Sequence, residues 1–166
     1  MILENLVNVL TEAESFTKED VSDGEIMAVL EAARLAPSAM NSQIWRFFVI
    51  RGRNMLESLA KLAGKPAFGT CPVIIAACAS PSYLKRRGRE QPYFMIDVPI
   101  AVSHLLLSAA ELGLGCSWTY EFDEQDTLSI IEAPKRYRVV ALVALGHMQQ
   151  GNRAADIDEW CAVEIR

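Results

Sequence analysis

Residues 36–43, APSAMNSQ, gather Pro37, Ser38, Asn41 and Gln43 into one short stretch between a helical pattern and a β-like one. The side chains supply amide and hydroxyl donors and acceptors, with no nucleophile standing beside a base. Such a loop can read the polar edge of a heterocycle and is poorly equipped for acyl transfer. The same residue types also cap secondary structure, so composition leaves both readings open.

Other reactive side chains are sparse. The four cysteines, Cys71, Cys78, Cys116 and Cys161, lie far apart, with no Cys-x-x-Cys pair and no histidine at ligand spacing, so a zinc site is not expected. Cys71 and Cys78 sit in or beside apolar strand-like sequence, where inert core thiols are expected, as suits a reducing cytoplasm. His104 falls inside an apolar helical pattern and His147 just after the end of an apolar run; both are expected in structural roles. Trp45 and Phe47 are expected in the core.

Positioning these groups requires one well-packed domain, expected over residues 1–166. Half of the chain is apolar (51%) and 22% is charged, enough for a substantial core without metals or disulfides. The net charge of −5 is spread along the chain and forms no basic stripe, which argues against a nucleic-acid reader. The N-terminal residues have acidic groups where a secretory signal has positive charge, and runs such as residues 73–79 fall far short of the ~20 residues of a spanning helix. A cytoplasmic location without a membrane partner is the expectation.

Apolar spacing predicts a short helix over residues 2–10. A second helix begins at the Ser22/Glu25 capping box, continues through Ile26, Val29, Leu30 and Ala33, and is stopped by Pro37. Residues 46–50 and 72–79 read as buried strands joined by a helix over 54–62. Residues 83–91 are charged and broken by glycine, as an exposed connector or flap would be. The strongest helix covers 96–112 and ends at Gly113, Leu114 and Gly115; a strand follows over 116–120, then a helix over 123–131 begun by Asp123. Residues 138–145, RVVALVAL, read as a central strand covered on both faces. The tail, residues 160–166, has strand composition without a near partner and must pair with a distant strand or another chain. Together these elements make an α+β domain with one central sheet flanked by helices.

Three strings together resemble the nitroreductase family of FMN enzymes: VLEAARLAPSAMNSQIWRFFVI at residues 29–50, DVPIAVSHLLLSAAELGLGCSW at 97–118 and VVALVALGH at 139–147. They stand in the family's order and cover most of the chain. The resemblance implies a mixed or antiparallel central sheet and a homodimer in which the C-terminal strand is exchanged. It implies FMN held at the dimer interface, with the loop residues Pro37, Ser38, Ala39, Asn41 and Gln43 of one subunit meeting a ring bound mainly by the other. Trp118, Thr119, Tyr120 and Glu121 match the strand that brings backbone N–H groups toward the flavin, and Arg153 lies near a C-terminal phosphate-binding arginine. Reducing equivalents would come from NAD(P)H and pass to a small flat acceptor such as a nitroaromatic or quinone. No catalytic side chain is needed, since the redox chemistry belongs to the cofactor.

The match departs from the family at two places. Ile44 stands where a proline is common, and LTEAES at residues 10–15 stands where the family has an arginine-rich phosphate grip. Glu12 and Glu14 bring negative charge there; a carboxylate ~4 Å from a phosphate costs roughly 1 to 4 kcal/mol. Lys65, Arg153 and the connector arginines Arg86, Arg87 and Arg89 are the candidate replacements. The departure also motivates a second reading, a flavin-less homodimeric relative acting as a binding or regulatory module.

Overall fold

The computed structural model describes residues 12–80 and 92–149. The helix expected at residues 2–10, the connector at 83–91, Arg153 and the tail at 160–166 lie outside the described residues.

Local signals place the elements as the sequence predicts. Helix α1, Asp23–Arg34, starts at a complete capping box: the Ser22 hydroxyl accepts the Glu25 N–H, and the Glu25 carboxylate accepts the Ser22 N–H at 2.8 Å. The hydrogen bonds from Ser22 hold the Glu25 carboxyl below the usual carboxylate range. Strand β1, Trp45–Ile50, is followed by helix α2, Arg53–Ala63, and strand β2, Val73–Ala79. Helix α3 is Phe94–Glu111 and strand β3 is Gly115–Thr119. Helix α4, Glu124–Ile130, begins where the Asp123 carboxylate accepts the Asp126 N–H at 2.8 Å, and strand β4 is Arg138–Gly146. Two short 3-10 turns, Ala39–Asn41 and Pro66–Gly69, were not foreseen, because each is too brief to leave a periodic pattern.

The four strands pair antiparallel throughout in the order β1-β2-β4-β3. Helices α1 and α3 pack on one face, against Val73, Ile75, Ala77, Val143 and Leu145. Helices α2 and α4 pack on the other, against Ile74, Ala76, Cys78, Leu142 and Ala144. Covering both faces explains why β2 and β4 are apolar at successive positions rather than alternate ones: all of β2 is buried, and so is β4 after Arg138. By length and composition α3 is the one described helix that could cross a bilayer. Its apolarity is accounted for by packing, since Val98, Val102 and Leu105 are buried between the sheet and α1.

Gly115 and Gly146 face each other across β3 and β4. A Cβ on Gly115 would lie 2.0 Å from Met148, and one on Gly146 would lie 2.8 Å from both Phe16 and Pro72. Their bare backbones let residues 12–17 cross this end of the sheet, where the Ala13 N–H donates to the Cys116 carbonyl and the Thr17 N–H to the His147 carbonyl, each at 2.8 Å. His147 adds a structural contact of its own, with its ring 3.9 Å from Glu25 and 4.0 Å from Glu19.

Cys71, Cys78 and Cys116 are all buried and unpaired, as expected for the first two. Desolvation pushes each thiol up to about 12, so the reactive thiolate is absent at ordinary pH. In a Cys161→Ser background, native protein at pH 8 should therefore leave a chromogenic disulfide reagent unreduced over minutes, and denaturation should release three thiols. Rapid reaction of the native protein would show that this core opens.

Candidate functional site

The loop between α1 and β1 holds an unusual backbone. Met40, Asn41 and Gln43 have φ of 53°, 52° and 44°, the left-handed region. For residues other than glycine this costs of order 1–3 kcal/mol each, least for asparagine. The conformation is secured by several bonds. The Ser38 hydroxyl accepts the Gln43 N–H at 3.0 Å, the Ser38 carbonyl accepts the Asn41 N–H at 3.0 Å, and the Gln43 amide donates to the Arg34 carbonyl at 3.5 Å. Pro37, Met40, Asn41 and Gln43 are exposed, with Met40 at 82%, while Ser38 and Ala39 are half-buried. The loop thus holds a strained backbone while leaving the amides of Asn41 and Gln43 and the Met40 side chain exposed.

Asp97 fastens this loop to the core, a role the sequence reading missed. It lies in the first turn of α3, is 2% exposed, and its Oδ1 accepts the Ala39 N–H at 3.1 Å. Its Oδ2 is also buried and finds no hydrogen-bond partner among the described residues. Burying a carboxylate is costly without full pairing, so its place beneath the loop has to be held by the surrounding packing. The available signal was an acidic residue flanked by Ile96 and Val98 in the most apolar of the described helices.

The second predicted half follows β3. Trp118 is half-buried and packs toward α1 and α3, and Thr119 is 5% exposed. The Thr119 hydroxyl accepts the Glu121 N–H at 3.0 Å and shapes the turn, leaving Tyr120 and Glu121 exposed. Partial burial pushes the Tyr120 phenol up. The outer backbone edge of β3 is engaged within the chain. β3 is terminal in the sheet, and the carbonyls of Cys116 and Trp118, alternate residues, both point off its outer side. The first takes the Ala13 N–H; the second takes Lys65 Nζ at 2.7 Å. Lys65 Nζ is also 2.6 Å from Glu12 Oε1, which accepts the Ser117 hydroxyl at 2.8 Å.

β3 runs toward the end of the sheet at which the loop lies but stops short of it: Trp45 and Ala79 are level with Arg138, the first residue of β4, whereas Thr119 faces Leu142 at its middle. The two halves lie on opposite edges, with β2 and β4 between them, three strand spacings or about 14 Å apart across the sheet, besides the offset along it. One chain thus brings Pro37, Ser38, Ala39, Asn41 and Gln43 to one edge and residues 118–121 to the other. Among the described residues there is no group of side chains suited to hold a metal. An open groove of about 930 Å³ lies at the far end, lined by Phe16, Lys18, Leu56, Lys61, Phe68 and Pro72, away from both halves.

A model of the nitroreductase family matches residues 15–66 and 56–147. A protein of Archaeoglobus fulgidus, assigned as an NADH dehydrogenase/NAD(P)H nitroreductase, is 31% identical over 142 residues, covering 80% of this chain and 77% of the relative. The chain belongs to the nitroreductase family. Its fold is shared by a nitroreductase family protein of Streptococcus pneumoniae, with a TM-score of 0.85 at 24% identity, covering 99% of this chain and 100% of the other. An FMN-dependent nitroreductase of Clostridium difficile R20291 superposes with a TM-score of 0.81 at 21% identity, covering 96% of this chain and 99% of the other.

The Asp97 contact is open to a direct test. Asp97→Ala leaves the Ala39 N–H without its acceptor and should destabilise the protein by about 1–3 kcal/mol. It should also speed amide hydrogen exchange across residues 39–43. Asp97→Asn, which keeps an acceptor, should restore much of the protection. Unchanged exchange in Asp97→Ala would mean that Ser38 and Gln43 hold the loop unaided.

Proposed function

We propose that this chain is a flavin-dependent oxidoreductase that holds FMN between two copies of itself and carries reducing equivalents from NAD(P)H to a small flat acceptor, such as a nitroaromatic or a quinone. The observation that carries the reading is the division of the site into two incomplete halves. An exposed, backbone-strained loop stands on one edge of the sheet and the end of β3 with its exposed turn on the other, about 14 Å apart across the sheet within one chain. Two copies related by a twofold axis can bring the loop of one to the β3 end of the other, and a closed dimer is the commonest such arrangement. The assignments of the A. fulgidus relative and the C. difficile structure, together with the match to the family, support the same chemistry.

The donor set suits a flat heterocycle. Asn41 and Gln43 offer amide groups on exposed side chains, Pro37 and Ala39 a low apolar surface, and Ser38 a hydroxyl already oriented by the Gln43 N–H. On the other edge the turn in which the Thr119 hydroxyl takes the Glu121 N–H leaves Tyr120 and Glu121 exposed beside Trp118. Bound FMN would supply the electron transfer itself. These residues would orient the ring, place hydrogen-bond donors at its polar rim and limit the approach of water. Arg153 is proposed as a phosphate contact.

Purified protein should take up added FMN, with a shifted visible spectrum and quenched flavin fluorescence, and the loaded protein should oxidise NADH or NADPH in the presence of a quinone. Protein that leaves FMN free in solution would overturn the reading. Light scattering should give about twice the 18.4 kDa chain mass, and an FMN-binding monomer would refute the shared site.

A further inference from the structure

The outer edge of β3 carries a compact charged cluster whose members come from three separate parts of the chain. Lys65, just before the 3-10 turn Pro66–Gly69, extends its ammonium to the Trp118 carbonyl at 2.7 Å. Glu12, from the segment that crosses the sheet end, places Oε1 2.6 Å from that ammonium. Ser117 donates its hydroxyl to the same carboxylate oxygen at 2.8 Å. An ammonium has three donors, and two of Lys65's are thereby committed.

Neither charge is sealed from solvent: the side chains are 38% exposed for Lys65 and 44% for Glu12. As a stabilising element such a half-exposed pair contributes little. Its consequence lies in charge. Lys65 is a half-exposed cation on the outer side of β3, able to capture an anionic ligand group, and the Glu12 carboxylate already occupies it. An approaching anion meets the Glu12 charge at close range and must displace it, whereas a neutral ligand can use the same edge without that repulsion.

We propose that Glu12 is a specificity-determining residue, an internal counter-ion that withholds Lys65 from anions. Glu12 thereby weakens the binding of anionic groups at Lys65, and this effect is lifted when Glu12 loses its charge. The proposal concerns the edge itself. Its extension to flavins, that the preference for FMN over riboflavin rises when Glu12 is neutralised, rests on the flavin reading above.

Inorganic phosphate is the first probe, monitored at Lys65 and Trp118 by NMR shift titration of the intact chain at constant ionic strength. Glu12→Gln keeps a carbonyl acceptor for Lys65 and Ser117 while removing the charge. It should bind phosphate at least about fivefold more tightly than the parent, the lower end of what one unit charge at close range produces. Glu12→Ser should show the same gain if Glu12→Gln folds poorly, and Lys65→Met added to either should abolish it. The proposal is overturned if neither variant gains phosphate affinity, or if the gain survives loss of Lys65.

The flavin comparison then separates the two ideas. With FMN and riboflavin titrated by fluorescence quenching, Glu12→Gln should raise the FMN-to-riboflavin affinity ratio by a similar factor. A gain for phosphate without binding of either flavin upholds the counter-ion role and defeats the flavin reading. Flavin binding with an unchanged ratio and no phosphate gain defeats the counter-ion role alone.

Discussion

Covering both faces of the sheet is the constraint on which the rest of this structure depends. β2 and β4 are buried along nearly their whole length between two helix pairs, so their backbone groups are satisfied only by neighbouring strands. Polar groups able to meet a ligand are then confined to the sheet's edges and to the loops that leave its ends. The order β1-β2-β4-β3 assigns one edge to β1 and its preceding loop and the other to β3. That order therefore keeps residues 37–43 and residues 118–121 on opposite edges, with β2 and β4 between them.

Each half is shaped by a different device. The loop before β1 is rigid through local bonds and one buried carboxylate, Asp97, which fixes the Ala39 backbone from below. Three residues other than glycine in left-handed conformations within four positions would not persist in an isolated peptide. They persist here because the helix that supplies Asp97 is itself clamped between the sheet and α1. On the opposite edge the geometry is plain extended strand. Its character comes from charge: a lysine drawn to a carbonyl and neutralised by a carboxylate delivered from a segment far away in the chain.

Family membership is carried by the match over residues 15–147 and by the A. fulgidus relative. The departure noticed in the sequence, acidic residues where a phosphate grip is common, has a concrete form in the structure for Glu12. That carboxylate is matched with Lys65 and Ser117. The acidic segment and the candidate replacement cation are thus parts of one interaction, which neither residue discloses alone.

Much of the fold was legible in the sequence by itself. The capping box at Ser22 and Glu25, the Asp123 cap, the paired-face burial announced by RVVALVAL and the helix that ends before Gly113 are short-range signals, each written within one or two turns of chain. The same is true of the APSAMNSQ loop, whose amides and hydroxyls marked it before its shape was known. Strand order, the separation of the two half-sites, Asp97 beneath Ala39 and Glu12 against Lys65 were decided only by tertiary structure. These link residues tens of positions apart, 58 for Asp97 and Ala39 and 53 for Lys65 and Glu12. Local periodicity and capping chemistry hold no information about which distant backbone group a buried carboxylate will meet; that follows from how the helices and strands pack.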